Sequence, residues 1–546
     1  MNTVKLLALA ALPTVVLASL AACASDNFAN GQGDGPTPEP TATETPDAAP
    51  TATVPPSVVN GGACSNARLP TEDACVVNDV FGVFVSSTKG NDASGDGTRA
   101  KPFATIKRAI AAAAPTRKRV YACNERFTES VALADGVSMF GYLDCARDWA
   151  ITPAVRADVV APASPALTAA SLGAATRVEG FSFTAPAGSV GAPSSIGFTA
   201  VDVADLALVN VRIVANDARD GASGVEPPQP VNSGSLGGND NVAAEKCAAN
   251  SLLCRAAHSG RAGGTNDCGG AAGVSGGAGG SGGFGGIYSV VPGPPGGPPK
   301  VVSTTEAPGM GDALTPTTVT AQGGTAVKGG TNGANGANGA NGVSSKGGVI
   351  TASGYTPGDG TAGTSGAPGQ GGGGGAGVPV LSSSDVGTWF GSPGAGGGAG
   401  GCPGLAGTAG KGGGASIGGI SFSSKLRFDH CVIEVGRGGN GGRGTFGSTH
   451  TTGGLGGANA SGQAPAGAGW GGDGGRSGVS GHGAGGPSLG IAHKGGAPTL
   501  DIETKAAIKL GAPGGGRAGE TFNGGGESKT LDASPAGFVS TVFPVP

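Results

Sequence analysis

Ser195-Ile196-Gly197, followed by Leu206, Leu208, Val211 and Ile213, decides the reading of this chain because it recurs twice. Ser416-Ile417-Gly418 leads to Leu426, Phe428, Cys431 and Ile433, and Ser488-Leu489-Gly490 leads to Leu500, Ile502, Ile508 and Leu510. Each copy then runs into glycine-rich sequence, from Asn216, Gly436 and Gly511. A short apolar unit cannot bury its own face, but stacked copies can. The expectation is an all-β solenoid in which the copies are successive coils. Leu208, Phe428 and Ile502 should then share one core.

Upstream, strand-like segments recur: Val120-Tyr121-Ala122, Val137 to Tyr142, Asp158-Val159-Val160, Val178 to Phe183, Thr199 to Val203 and Leu206 to Ile213. Their spacing of roughly 20 residues suits a parallel β-helix, whose strands stack about 4.8 Å apart. The coils are assigned to 61–215, 415–436 and 488–546. Residues 102–114 predict an amphipathic helix. Pro102 stands near its start, Phe103, Ile106, Ile110 and Ala113 share a face, and Pro115 closes it. Such a helix is suited to cover the open first end of the stack.

Glycine numbers 113 and proline 38, together more than a quarter of the 546 residues, while charged residues are only 13%. Segments 216–414 and 437–487 are therefore read as insertions. Gly330, Gly333, Gly336, Gly339 and Gly342 recur every third residue in Gly-Ala-Asn triplets. Without Cβ, extended chains of three-residue period can pack side by side as in polyglycine II. The competing reading is loop, because glycine loses most entropy on ordering. Gly-Gly-x tracts near Gly412, Gly471 and Gly514 favour packing. Collagen is excluded by the lack of proline in the triplets.

The first residues carry a charged start at Lys5, an apolar run from Leu6 to Leu20, then Leu20-Ala21-Ala22-Cys23. This is a secretory signal pattern over 1–22. Its ending resembles a bacterial lipobox, which implies lipidation of Cys23 and a membrane partner through that lipid, at the outer membrane or cell surface. Residues 23–60, rich in Pro and Thr, read as an extended tether. A formal charge of −4 with no basic stripe gives no case for nucleic acid.

Phe84-Val85-Ser86, Gly90-Asn91-Asp92, Gly95-Asp96-Gly97-Thr98 and Lys101-Pro102-Phe103-Ala104-Thr105-Ile106 resemble the opening of the DUF1565 group. Val120 to Cys123, Glu129 and Phe140 to Asp144 are similar to glycine-rich, PGRS-type surface lipoproteins of myxobacteria. The resemblance spans about residues 80–150 and implies a right-handed parallel β-helix related in fold to pectate lyases. On activity it implies almost nothing.

Lipidation of Cys23 leaves nine of the ten cysteines. Cys123 and Cys145 stand about one coil apart and are the best disulfide pair. Cys64 with Cys75 would staple the N-terminal loop. Connectivity among Cys247, Cys254, Cys268 and Cys402 is open. Cys431 takes the inward slot of Val211 and reads as a buried apolar group.

Candidate chemistry is sparse. Asp92, Ser94, Asp96, Gly97 and Thr98 imitate the start of a calcium loop, but Phe103 stands at the twelfth position, so a turn is the first reading, a weak calcium site is the second, and no other cofactor is expected. A polysaccharide lyase or glycosidase would draw on Asp217, Arg219 and Asp220, whose context reads first as a turn. Trp389, Phe390 and Trp470 are either saccharide-stacking rings or anchors for glycine chains, anchoring being preferred. The expected role is structural or adhesive, with polysaccharide or other surface components as partners and no catalysis.

Overall fold

A computed structural model describes residues 64–65, 67–230, 232–238, 245–247, 261–268, 319–320, 323–324, 330–375, 388–390, 394–458 and 468–546. The signal segment 1–22, Cys23, the tether to residue 60 and Cys254 lie outside the described residues, as do the side chains of Cys247, Trp389 and Phe390.

Most strands fall into three parallel sheets. The first holds Val83–Val85, Arg119–Cys123, Ser138–Asp144, Thr176–Glu179, Leu206–Val209, Leu426–Asp429 and Thr499–Leu500, in that order. The short antiparallel strand Ala150–Ile151 is attached beside Ser138–Asp144. The second sheet holds Arg126–Phe127, Ala157–Val160, Phe181–Ala185, Arg212–Ala215, Val432–Val435 and Ile508–Lys509. The third holds Val131–Ala132, Leu167–Leu172, Ser195–Val203, Ser416–Phe422, Ser488–Lys494 and Val539–Pro544. From Arg119 onward the chain visits first, second and third sheet in turn, six times over.

Register stacks like on like. Val120, Met139, Val178, Leu208, Phe428 and Leu500 form one ladder. Phe127, Val159, Phe183, Ile213, Ile433 and Ile508 form a second. Both ladders enter one core, with Ile508 packed at its margin. Each such burial contributes about 1.5–3 kcal/mol over exposure.

The recurrent triplet has a physical reason at each position. Ser195, Ser416 and Ser488 stack in register, as do Ile196, Ile417 and Leu489. The Ser416 hydroxyl donates to Asn216 O (2.8 Å), and that of Ser488 to Gly436 O (2.9 Å). The serine thus ties the returning chain to the point where it left. The apolar second residue packs outward into a separate cluster. The third must be glycine, because a Cβ on Gly197 or Gly418 would run into the side chain of Ile213 or Ile433.

Three expectations are corrected. Ile502 is 81% exposed at the start of a short helix, Ile502–Ala506, and Leu500 takes the place beside Phe428. Val178 to Phe183 and Leu206 to Ile213 are each two strands in different sheets, broken at Gly180 (φ 72°) and near Asn210 (φ 50°), where the chain turns a corner. The N-terminal helix is Ile106–Ala113 rather than 102–114. Thr105 caps it, and the Asp92 carboxylate fixes the residues before it by accepting the Ala104 and Thr105 N–H groups. Its buried Ile106, Ala109, Ile110 and Ala113 join the core at the first strands of the stack. Disulfides join Cys64–Cys75, Cys123–Cys145 and Cys268–Cys402, and Cys431 is free and buried.

The glycine-rich sequence always leaves after the second sheet and returns in the third, through 216–415, 436–487 and 510–538. Its described parts lie side by side. Gly472, Gly475 and Gly478 donate to Gln370, Ala367 and Thr364 carbonyls, while Gly471 and Gly474 donate to Gly454 and Thr451. The same partner returns at every third residue, so one chain bonds its neighbours in several directions. A Cβ on Gly475 would run into the Ala337 carbonyl, whereas one on Gly191 meets nothing within 4 Å. Gly475→Ala is therefore expected to lower stability by roughly 1–3 kcal/mol, and Gly191→Ala to change it by less than about 1 kcal/mol, in urea unfolding followed by circular dichroism.

Candidate functional site

The polar residues of the glycine-rich segments are placed by the same three-residue period. Asn332, Asn335 and Asn338 each accept through Oδ1 the backbone N–H of Trp470, Asp473 and Arg476 at 2.8 Å, and Asn341 accepts that of Val479 at 3.1 Å. The next residues, Gly333, Gly336, Gly339 and Gly342, donate to the carbonyls of the same four partners. Each asparagine thus supplies the acceptor that no neighbouring main chain provides.

The catalytic candidates belong to a second such ladder. Asp217 accepts from Arg437 N (2.8 Å), Asp220 from Asn440 N (2.8 Å), Ser223 from Arg443 N (3.3 Å), Glu226 from Phe446 N (2.9 Å) and Gln229 from Thr449 N (3.0 Å). Arg437, rather than Arg219, is the cation these acids face, 2.8 Å from Asp220 and 3.9 Å from Asp217. Burial alone would raise the Asp220 carboxyl, but hydrogen bonds from Arg437 and Asn440 hold it below its ordinary value. Asp217 also lines a shallow cleft of about 340 Å³ with Glu434. Glu434 is clamped between Arg212 and Lys509, and hydrogen bonds from both overcome burial to lower its pKa. A glycosidase acid needs a raised pKa, and Asp220 and Glu434 are shifted the other way.

Asp429, His430 and Asp501 bring three potential metal-ligand atoms within 4.8 Å of one another. They could hold a divalent cation, yet their geometry is already explained. Asp501 accepts His430 N (2.9 Å) and caps the helix Ile502–Ala506 through Thr504 N (2.8 Å). Burial opposes its ionisation, but those bonds hold its carboxyl well below the usual range. Cys123, Glu125 and Cys145 also converge, with both sulfurs committed to a disulfide and Glu125 to Ser86, Ser87 and Thr88. The calcium-like run is a turn in which Asn91 and Asp96 accept local N–H groups.

Trp470 is 57% exposed, so its ring does not pin glycine chains as an anchor; its backbone does that work. The pairing of Thr388–Phe390 with Glu245–Cys247 is antiparallel.

Two buried polar groups were not foreseen. Lys529 lies beneath the hairpin Glu520–Gly524/Glu527–Leu531, its Nζ 2.7 Å from Ser477 Oγ, 2.9 Å from Ser448 O and 2.9 Å from Glu527. Glu527 also pairs with His450. The only sequence signal is alternation, with Glu527, Lys529 and Leu531 inward, and charged residues disguise it. The second is His482, whose ring Nδ1 accepts Gly444 N–H at 2.7 Å and whose backbone N–H donates to Ser344 Oγ at 3.0 Å, while its ring Nε2 is buried without a hydrogen-bond partner among the described residues. No protein family, curated protein or solved structure matches this chain.

Only a neutral imidazole can accept at Nδ1. Burial, with Arg443 and Arg517 adding to it against Glu520 and the Ala518 backbone, lowers the His482 pKa from 6.5. The folded value is depressed, so this contribution is present above pH 6.5 and lost as pH falls through the folded pKa. Between pH 7 and 5 the urea midpoint should fall more steeply in the wild-type protein than in His482→Gln.

Proposed function

We propose that this chain is a surface-facing outer-membrane lipoprotein with a structural or adhesive role. In this reading the three parallel sheets are the faces of a right-handed β-helix, and the glycine-rich segments form a polyglycine-II-like slab on one corner. The Cys23 lipid and the Pro/Thr tether hold both away from the membrane. No described helix is long and apolar enough to cross a membrane, and the reading needs none. The resemblance of residues 80–150 to β-helix surface lipoproteins supports the assignment.

The observation that carries the role is the side-chain ladder. Asp217, Asp220, Glu226 and the asparagines from Asn332 to Asn341 are committed to capping backbone N–H groups. These acids serve rigidity rather than a reaction. Trp470 offers an exposed ring on this slab, the kind of surface on which sugars stack. The alternative, a polysaccharide lyase or hydrolase, rests on the cleft shared by Asp217 and Glu434.

The two readings part in one experiment. Residues 24–546, without lipid, are incubated with a polysaccharide panel and with whole cells. The expected result is binding without release of reducing ends or unsaturated products, weakened about tenfold or less by Trp470→Ala, which removes roughly 1 kcal/mol of ring contact. Product release abolished by Asp217→Ala and Asp220→Ala would instead establish the enzyme.

A further inference from the structure

Asn332-Gly333, Asn335-Gly336, Asn338-Gly339 and Asn341-Gly342 set one dipeptide in a row along the glycine-rich lattice. Asparagine before glycine is the pair at which a peptide most readily modifies itself. The glycine nitrogen, after losing its proton to base, attacks the asparagine Cγ. An N–Cγ bond forms, the Cγ–Nδ2 bond breaks, and Nδ2 takes up a proton and leaves as ammonia. Water then opens the succinimide ring at either carbonyl, giving aspartate or isoaspartate. Glycine favours the ring because it has no side chain to obstruct it.

In the folded chain each pair is tied at two points to one residue of the facing segment. Asn335 Oδ1 accepts Asp473 N–H at 2.8 Å, and Gly336 N–H donates to Asp473 O at 2.8 Å. Asn332-Gly333 holds Trp470 and Asn338-Gly339 holds Arg476 with the same distances, and Asn341-Gly342 holds Val479 at 3.1 and 2.7 Å. The glycine nitrogen attacks along the direction its proton leaves, and in each pair a carbonyl oxygen of the facing segment stands there. Turning Cγ toward that nitrogen would break the second hydrogen bond. All four asparagines are exposed, so base and water reach them. Their protection comes from hydrogen bonding alone, and local opening removes it.

We propose that this row is a self-modification site gated by the lattice: silent while the row is bonded, and converted to isoaspartate once it opens. Isoaspartate routes the backbone through Cβ and Cγ and so lengthens it by one atom. The three-residue period then no longer matches Trp470, Asp473, Arg476 and Val479, and the opening becomes irreversible. Aspartate would still supply the acceptor, as Asp217 and Asp220 do for Arg437 N and Asn440 N. The proposal does not depend on the adhesive role.

The full chain and a synthetic peptide of residues 329–346 are held side by side at mildly alkaline pH. Trypsin releases the same peptide from the chain, at Lys328 and Lys346, and an isoaspartyl methyltransferase counts the isoaspartate. Formation is expected to be roughly tenfold or more slower in the folded chain, with urea restoring the rate of the peptide. Gly475→Ala, whose Cβ would press on the Ala337 carbonyl, should speed it at Asn335 and Asn338. After ageing in urea and refolding, the wild-type chain should lose protection at its remaining asparagines, whereas Asn338→Asp that has not been aged should keep it. Equal rates in folded chain and peptide overturn the gating. Full protection regained by a chain that carries isoaspartate overturns the irreversibility.

Discussion

Every buried peptide group needs a hydrogen-bond partner, and the glycine-rich segments have almost no large side chains with which to offset a failure. This constraint governs the molecule. Chains that bond neighbours in several directions must approach closely on several sides. Gly472, Gly475 and Gly478 each sit where a Cβ would strike a neighbouring carbonyl, of Ala334, Ala337 and Ala340. Glycine is therefore required by space as much as by conformation. The entropy that glycine loses on ordering is recovered by dense backbone bonding rather than by a hydrophobic core.

Such a lattice needs edges and a template, and both are written into the sequence. At an edge the next main chain is missing, so a short polar side chain supplies the acceptor, as Asn335 does for Asp473 N and Asp220 for Asn440 N. The template is the parallel-sheet body. Departure at Ala215 and return at Ser416 are adjacent in space, linked by the Ser416 hydroxyl to Asn216 O. Two hundred residues of loop would ordinarily carry a closure cost that rises with length. Here the register of Ser416 on Ser195 and of Ile433 on Ile213 fixes both ends.

The parallel stacking was legible because the repeat keeps its apolar spacing across long insertions: Leu206, Leu208 and Ile213 predict Leu426, Phe428 and Ile433 position for position. Ile502 misled because the last circuit turns the corner between Thr499–Leu500 and Ile508–Lys509 with a capped helix, and Asp501 as a cap reads in sequence like any surface acid. The Gly-Ala-Asn triplets announced a three-residue period but not a partner, since Trp470 to Val479 lies far along the chain and its Gly-Gly-x pattern is shared with other tracts, such as those near Gly412 and Gly514. Asp217 and Asp220 were visible as acids. That they accept main-chain N–H groups from Arg437 and Asn440 depends on which chains lie together, which composition does not encode. The Lys529 cluster was hidden for a related reason: charged residues at alternate positions read as solvated.

The same constraint bears on where function can reside. Within the lattice, polar side chains whose bonding closes a neighbour's backbone are not free to move, protonate or bind without opening the structure they complete. Ligand chemistry is therefore displaced to surfaces that the backbone network does not occupy. Two such surfaces stand out: the exposed ring of Trp470, and the outer face of the third sheet beyond the hairpin at Val349. On that face Phe422 and Phe543 are only partly buried, although Ser416–Phe422 is paired on both sides and the edge strand Val539–Pro544 is paired along Ser488–Lys494. Strand pairing there does not bring side-chain burial with it, and that imbalance separates a surface that completes the fold from one available to a ligand.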